Sequence, residues 1–338
     1  MAKKILEVKN LRTSFFTHLG EVQAVRGISF DLEEGGVLGI VGESGSGKSV
    51  TSLSIMRLIE SPGIIKEGEI LFDGVDLTKL SKGEIADYRG NEISMIFQDP
   101  MTSLNPVYRI RNQMMEVIRR HTDLNKEEAF ERALELLKMV GIPDPKVQIH
   151  DFPHQFSGGM RQRALIATAI SCNPSLLIAD EPTTALDVTI QAQILELLKE
   201  LQKKTGMSII LITHDLGVIA EISTHVIVMY GGMIMEKGTV QDIFYNPQHP
   251  YTKGLHKSIP KSMLKEKERL VPIKGSPPDL MNPPTGCPFS SRCDHAMEIC
   301  IKEAAPGFKI SDTQTSACWL QHADAPDVKG FTKTKEEK

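Results

Sequence analysis

Eight consecutive residues near the start of the chain have the types and spacing that bind phosphate. From Gly42 to Ser49 they read Gly-Glu-Ser-Gly-Ser-Gly-Lys-Ser, the pattern G-x-x-x-x-G-K-S. Glycines let successive backbone N–H groups converge on phosphate oxygens, and a following helix adds a favourable dipole. We expect Lys48 to contact the β- and γ-phosphates of ATP and Ser49 to ligate Mg²⁺. The candidate nucleotide ligands here are Gly42, Ser44, Gly45, Ser46, Gly47, Lys48, Ser49 and Val50.

The segments on either side of this loop are those that a phosphate-binding loop requires. Residues 37–41 are apolar and predict a strand, and residues 50–59 predict a helix. A glycine-rich turn without a function would need the motif, the strand and the helix to coincide by accident. The sequence therefore predicts an α/β fold whose first βα turn binds a nucleotide.

Two later apolar runs are predicted to be buried parallel strands, and each ends in residues with useful chemistry. Residues 175–179 lead to Asp180 and Glu181, and residues 208–212 lead towards His214. Ligands of open α/β sheets bind at the carboxyl ends of the strands. Asp180 suits Mg²⁺, directly or through a water. Glu181 suits the general base that polarises the attacking water, and His214 suits a contact with the γ-phosphate.

Three more candidates depend on their order in the chain. Gln98 follows an apolar strand at residues 93–97, and its amide is placed to sense Mg²⁺ or the attacking water. The segment Ser157-Gly158-Gly159 precedes a predicted helix beginning near Met160, whose N-terminus attracts anions. Asp187 either caps the helix that begins at Val188 or takes part in the nucleotide site.

In this order, these residues resemble the nucleotide-binding subunit of ABC transporters, over roughly residues 5–258. The resemblance implies a P-loop, RecA-like α/β core with a small antiparallel β subdomain and a helical signature subdomain at about residues 98–157. It also implies a head-to-tail dimer of ATPase subunits. The signature residues Ser157, Gly158 and Gly159 would then cap the γ-phosphate held by the partner's loop, and Asp187 would couple the two sites.

The chain departs from the family's signature at two positions and leaves one ligand open. Phe156 and Met160 stand where leucine and glutamine are usual, so an amide that could bind nucleotide is missing. The resemblance also implies an aromatic ring stacked on adenine near the N-terminus. Phe15 and Phe16 are the candidates, and the spacing to Gly20 favours Phe15.

Composition and hydropathy exclude several classes of protein. The chain has 338 residues, 41% of them hydrophobic, and a formal charge of −4, which disfavours nucleic acid as a partner. No window approaches about 18 consecutive apolar residues, and Glu7 comes too early for a secretory signal. We expect a peripheral subunit at the cytoplasmic face of the cell membrane, with transport carried out by other subunits.

The sequence changes character near residue 259, so we predict an ATPase domain at residues 1–258 and a C-terminal extension at 259–338. The extension is rich in proline and charge, and its tail at 333–338 is predicted to be disordered. Four cysteines are grouped within it, and such a group suits Zn²⁺ or a [4Fe-4S] cluster, whereas unliganded thiols remain an alternative. They are Cys287, Cys293, Cys300 and Cys318.

Residues 286–293 and 246–252 are similar to the C-terminal extension of dipeptide and oligopeptide importer ATPases, of the first of two paralogous types. This resemblance implies the [4Fe-4S] cluster, with zinc as the alternative, and a second ATPase subunit, either a paralogue or a second copy. It also implies two transmembrane permease subunits and an extracytoplasmic peptide-binding protein. Import of nickel or another small solute is the nearest alternative function. A soluble ABC protein of DNA repair or translation lacks support, because neither long coiled coils nor tandem cassettes are seen.

Overall fold

A computed structural model of the chain describes residues 3–99, 103–184, 186–258 and 272–334. The predicted boundary at residue 259, Ala185 and the end of the predicted disordered tail, residues 335–338, lie outside the described residues. The strands are β1 Lys4–Thr17, β2 Gly20–Glu33, β3 Val37–Val41, β4 Gly63–Phe72, β5 Val75–Asp76, β6 Ile93–Ile96, β7 Leu176–Asp180, β8 Ser208–Thr213, β9 His225–Tyr230, β10 Met233–Thr239, β11 Phe308–Lys309 and β12 Thr315–Ser316.

The α-helices are α1 Lys48–Ile55, α2 Lys82–Tyr88, α3 Ile110–His121, α4 Lys126–Met139, α5 Pro145–Gln148, α6 Gly158–Ala169, α7 Val188–Thr205, α8 Leu216–Ile222, α9 Val240–Tyr245, α10 Pro250–Lys257 and α11 Glu298–Lys302. Short 3₁₀ turns occur at Leu77–Lys79, Pro153–Gln155, Ser290–Arg292 and Trp319–Gln321. Within the described ranges, no helix is both long enough and apolar enough to cross a membrane.

The chain folds into two compact units, each assembled from several segments. The described residues of unit 1 lie within 1–6, 32–37 and 71–212. Those of unit 2 lie within 7–31, 38–70 and 213–338. The predicted division into residues 1–258 and 259–338 follows the sequence rather than these units, and it stays a prediction.

In unit 1, β6, β7 and β8 are parallel neighbours. Leu176 of β7 pairs with Ile93 of β6 and with Ser208 of β8. Every residue of β7 and β8 is buried, as expected for parallel strands that are covered on both faces. The strands predicted from the apolar runs are therefore confirmed to within one or two residues at each end. Because β6 and β7 run in the same direction, the residues that follow them emerge at the same edge.

A helical bundle completes unit 1, in which α3, α4 and α6 pack on one another. Helix α4 begins with a capping box between Asn125 and Glu128, which satisfies N–H groups of the first turn. In this segment, apolar residues recur at the spacing of one helix face, which predicts a buried stripe, and all five are buried: Ala129, Ala133, Leu136, Leu137 and Val140. Since α6 belongs to the same bundle, the packed helices extend past the predicted limit at residue 157.

In unit 2, β3 is parallel to β9, whereas β9 and β10 are antiparallel. Two short strands continue this order, because β12 pairs with both β10 and β11. Helix α1 follows the phosphate loop but ends at Ile55, four residues before the predicted end. It stops there because Arg57 adopts a φ of 50°, which is outside the helical region.

A separate four-stranded sheet has the order β2-β1-β4-β5. Its last two strands are antiparallel, with Leu71 paired to Asp76. This sheet agrees with the small β subdomain that the resemblance to ABC transporter subunits implies.

Candidate active site

The phosphate loop connects β3 to α1 in unit 2 and has a specific internal geometry. Lys48 is only 5% exposed, and its Nζ donates hydrogen bonds to the carbonyl oxygens of Gly42 at 2.8 Å and Glu43 at 3.0 Å. Ser46 N–H also donates to the Glu43 carbonyl, at 3.2 Å. The buried Ser46 hydroxyl has no hydrogen-bond partner in the structure. Backbone carbonyl oxygens of the loop therefore surround the Lys48 ammonium group, and the Ser46 hydroxyl is available to bind a polar ligand.

Two glycines of the loop are required by the space around them. A Cβ on Gly42 would lie 2.1 Å from the Met229 carbonyl oxygen, and one on Gly47 would lie 2.5 Å from the Ala24 carbonyl oxygen. Gly47 also adopts a φ of 100°, in the region that favours glycine. It occupies the N-cap of α1 and offers no side-chain cap there. The start of this helix is thereby shaped to receive an anion.

Glu181 and Gln98 meet at the edge of the unit 1 sheet, as their strand-end positions predict. Gln98 Nε2 donates to Glu181 Oε2 at 3.0 Å, and Thr184 Oγ1 donates to the same oxygen at 2.8 Å. Glu181 is half-buried with a φ of 47°, an unusual value for a residue with a Cβ. The neighbouring Asp180 ends β7 and is 4% exposed. The Glu181 carboxylate is therefore held in one orientation, on a residue with a strained backbone, next to the buried carboxylate of Asp180.

The signature segment lies at the start of α6 in unit 1. Ser157 caps this helix, since its Oγ accepts a hydrogen bond from Met160 N at 3.3 Å. The helix begins at Gly158, two residues earlier than predicted. Ser157 and Gly158 are both exposed, whereas Phe156 is buried. The unusual aromatic at position 156 therefore packs into the protein and leaves the anion-seeking end of the helix accessible.

The structure shows where the remaining candidate residues lie, and it tests only one of their predicted roles. Asp187 caps α7, with Oδ1 accepting from Ile190 N at 3.0 Å, so the capping role is confirmed and the coupling role stays a prediction. His214 is exposed directly after β8. Phe15 is half-buried beside Gly63, whereas Phe16 is 45% exposed with Lys66 Nζ 5.7 Å from its ring centroid.

The four cysteines of the extension line a single cavity in unit 2, together with Phe289 and His249. None of the four forms a disulfide. Burial raises the pKa of the Cys287 thiol to about 11 and that of the Cys318 thiol to about 12. Among the described residues, no group of three or more His, Cys, Asp or Glu side chains is arranged to hold a metal ion. The fold thus brings the four thiols to one cavity, but they are not arranged there to hold a single metal ion.

His249 gives this cavity an unsatisfied polar atom. The side chain is 1% exposed, and burial lowers its pKa to about 3, so the ring is neutral. Its Nδ1 accepts a hydrogen bond from Tyr251 N at 3.0 Å, which places the ring proton on Nε2. That Nε2 is buried without a partner. A sulfur-rich group among the four thiols would offer it an acceptor, and the soft donor set suits such a group.

Three residues near the loop were missed by sequence reasoning. Glu43, the second residue of the phosphate loop, donates its N–H to the Tyr251 hydroxyl at 2.8 Å. Its carboxylate accepts two hydrogen bonds from Arg292, at 2.7 and 3.2 Å. The available signals were the place of Arg292 directly before Cys293, of Tyr251 within residues 246–252 and of Glu43 within the phosphate loop.

Comparisons with known proteins agree with this geometry. The family model described as "ABC transporter" matches residues 25–184, and "Oligopeptide/dipeptide transporter, C-terminal region" matches residues 235–300. The oligopeptide transport ATP-binding protein OppD of Bacillus subtilis is 58% identical, over 96% of this chain and 91% of its own length. The dipeptide transport ATP-binding protein DppD of the same organism is 56% identical, over 94% and 95%.

A solved structure supports the fold. The dimeric, post-hydrolysis ATP-binding cassette MJ0796, bound to ADP and Pi, has a TM-score of 0.63 and 28% identity, and covers 70% of this chain and 98% of its own. The fold and the phosphate loop thus define an ATP hydrolase of the ABC transporter class. Within that class, the chain belongs to the family of oligopeptide and dipeptide transport ATP-binding proteins.

Proposed function

We propose that this chain hydrolyses ATP to drive the import of di- and oligopeptides through partner membrane subunits. The observation that carries the proposal is similarity to peptide transport ATP-binding proteins along nearly the whole chain, including the C-terminal region. Relatives that share only an ATPase core would not match residues 235–300 in this way. The extension is therefore the feature that favours peptides over nickel or another small solute.

In the proposed reaction, each residue has a role set by its position. Lys48 would hold the β- and γ-phosphates as a point charge, and Ser49 and Asp180 would hold Mg²⁺, which would supply positive charge to the phosphate oxygens. Glu181 accepts a proton from the attacking water, and the hydrogen bonds from Gln98 and Thr184 orient its carboxylate. His214 would stabilise the γ-phosphate, and Phe15 would stack on adenine. Positioning and electrostatic stabilisation account for the rate.

We place the signature residues at the site of a partner ATPase. Ser157 and Gly158 are exposed at a helix N-terminus, where backbone N–H groups favour an anion. In a head-to-tail dimer with a paralogue or a second copy, they would cap the γ-phosphate held by the other subunit. Asp187, seven residues beyond the end of β7 in the same unit, would couple the two sites.

Contact with two permease subunits fits a local apolar patch. Val107 is 72% exposed and Tyr108 is 54% exposed, in the segment between Gln98 and helix α3. Large apolar side chains in such positions favour a protein contact. We assign this patch to a permease, which would place the chain peripherally at the cytoplasmic face of the membrane. An extracytoplasmic peptide-binding protein would deliver the substrate.

The cysteine cavity is proposed to hold a [4Fe-4S] cluster. Four soft donors, an apolar lining and the unsatisfied Nε2 of His249 favour a cluster whose sulfides accept hydrogen bonds. Zinc is the alternative, and it requires a closer, tetrahedral arrangement of the thiolates.

Metal analysis of the anaerobically purified chain tests this site. We expect about four irons and four sulfides per chain, with broad visible absorption. Cys318→Ser should lose most of the iron, because a thiolate ligand is removed. Cys172→Ser is the matched control, since Cys172 lies in unit 1, and it should retain the iron. Zinc bound in equal proportion to chain, or iron that persists in Cys318→Ser, would contradict the cluster.

Growth on peptides tests the transport function. In an amino-acid auxotroph lacking this gene, the intact chain should restore growth on a peptide that supplies the missing amino acid. Glu181→Gln should fail to do so, because it lacks the proposed base. Free amino acid should support both strains equally, which controls for general effects. If the deletion leaves peptide use intact but abolishes nickel uptake, the small-solute alternative is correct.

A further inference from the structure

The extension contacts the phosphate loop through one buried arginine. The Arg292 side chain is 5% exposed and lies in unit 2 with the whole loop. Its two terminal nitrogens donate to the two carboxylate oxygens of Glu43, at 2.7 and 3.2 Å. This is the paired geometry in which a guanidinium binds a carboxylate most specifically.

Every N–H group of this guanidinium has a partner. Besides the two bonds to Glu43, Arg292 donates to the Tyr230 hydroxyl at 2.9 Å. It also donates to the backbone carbonyls of Ile273 at 3.1 Å and Lys274 at 2.8 Å. A guanidinium has five N–H donors in a rigid plane, so this set of acceptors fixes its orientation. The side chain is therefore held in one place, by two carbonyls of the extension on one side and by Glu43 and Tyr230 on the other.

Glu43 passes this constraint to the lysine of the loop. Its carbonyl oxygen accepts hydrogen bonds from Lys48 Nζ and Ser46 N–H. Its own N–H donates to the Tyr251 hydroxyl. The carboxylate, the N–H and the carbonyl of one residue thus connect Arg292 and Tyr251 to the group that is to bind phosphate.

Aromatic rings pack around Arg292 and restrict its movement. The rings of Tyr230, Tyr251 and Phe289 lie 4.6 to 5.4 Å apart between centroids. The guanidinium carbon of Arg292 lies 5.6 Å from the Tyr230 centroid. Such contacts between rings and a buried cation favour a fixed arrangement.

We propose that Arg292 is a positioning residue for ATP binding, which acts through Glu43 to hold the phosphate loop in its binding conformation. The extension then has a role in nucleotide affinity, whatever metal its cysteines bind and whatever solute is transported. Arg292 directly precedes Cys293, so the conformation of the cysteine segment sets the position of the guanidinium. A purely structural arginine would tie the extension together without changing the affinity for ATP.

The test is a set of variants of the full-length chain, purified anaerobically, with ATP dissociation constants and melting temperatures measured. Arg292→Lys keeps the charge but loses the paired geometry, and we expect it to raise the dissociation constant about threefold. Arg292→Ala should raise it about tenfold. Because uniform binding is lost, KM should rise more than kcat falls. Lys309→Ala removes an exposed ion pair to Asp312 in the same extension and should change nothing.

Measuring the effect of Arg292→Lys in a chain that already carries Glu43→Gln decides whether Arg292 acts through the Glu43 carboxylate. If Arg292 acts through this carboxylate, Arg292→Lys should change ATP affinity less than about twofold when Glu43 is already glutamine. An unchanged affinity in Arg292→Lys and Arg292→Ala, with a lower melting temperature only, would overturn the proposal. An equal effect of Arg292→Lys in both backgrounds would do the same. Should Arg292→Ala not fold, Arg292→Lys and Glu43→Gln still decide the question.

Discussion

Glu181→Gln is expected to abolish ATP turnover while ATP binding is retained. A positioned general base contributes about 10²- to 10⁴-fold to a rate, and glutamine cannot accept the proton from water. The amide has the same shape as the carboxylate, and its oxygen can still accept the hydrogen bonds from Gln98 and Thr184. The strained backbone at this position is also unchanged. Phosphate release by the assembled transporter measures the loss, and a nucleotide-binding assay measures the affinity.

Glu196→Gln is a suitable control for this prediction. Glu196 lies on α7, where its side chain is 62% exposed and 3.9 Å from Lys199. It should hydrolyse ATP at the normal rate, because exposed pairs of this kind contribute little. Near-normal turnover by Glu181→Gln would show that another group activates the water.

Gly47→Ala should strongly weaken ATP binding. The new Cβ would lie 2.5 Å from the Ala24 carbonyl oxygen, a backbone atom that cannot move aside like a flexible side chain. The φ of 100° adds strain of about 1–3 kcal/mol for a residue with a Cβ. The N-cap of α1 must then shift, and the N–H groups that follow it lose their alignment. We expect the ATP dissociation constant to rise about 100-fold or more, as measured by calorimetry.

Gly74→Ala is the control that separates the effect of the Cβ clash from the effect of backbone strain at a positive φ. Gly74 has a similar φ of 81°, but a Cβ there would have no atom within 4 Å, and it lies in the turn between β4 and β5. This variant should lose some stability and keep its affinity for ATP. Equal loss of affinity in both variants would mean that general destabilisation is responsible.

Much of the fold could be read from local patterns. The buried strands β7 and β8 are continuous apolar runs, and the stripe of α4 repeats with helical spacing, so each is encoded by neighbouring residues. Helix ends were less well predicted. α1 ends early because Arg57 leaves the helical region, and α6 begins early because Ser157 caps it.

The candidate functional residues also fall into two groups: those that local sequence features predict and those that only long-range contacts bring together. The phosphate loop, the strand-end carboxylates and the group of four cysteines could be located in the sequence, because motif spacing and strand ends are local features. Only the tertiary structure brought Gln98 to Glu181, 83 residues away, and Arg292 to Glu43, 249 residues away. Those pairs depend on strand register and on how the extension folds back within its unit. Hydrophobic periodicity encodes which face of an element is buried, but it does not encode which distant polar side chain will meet it there.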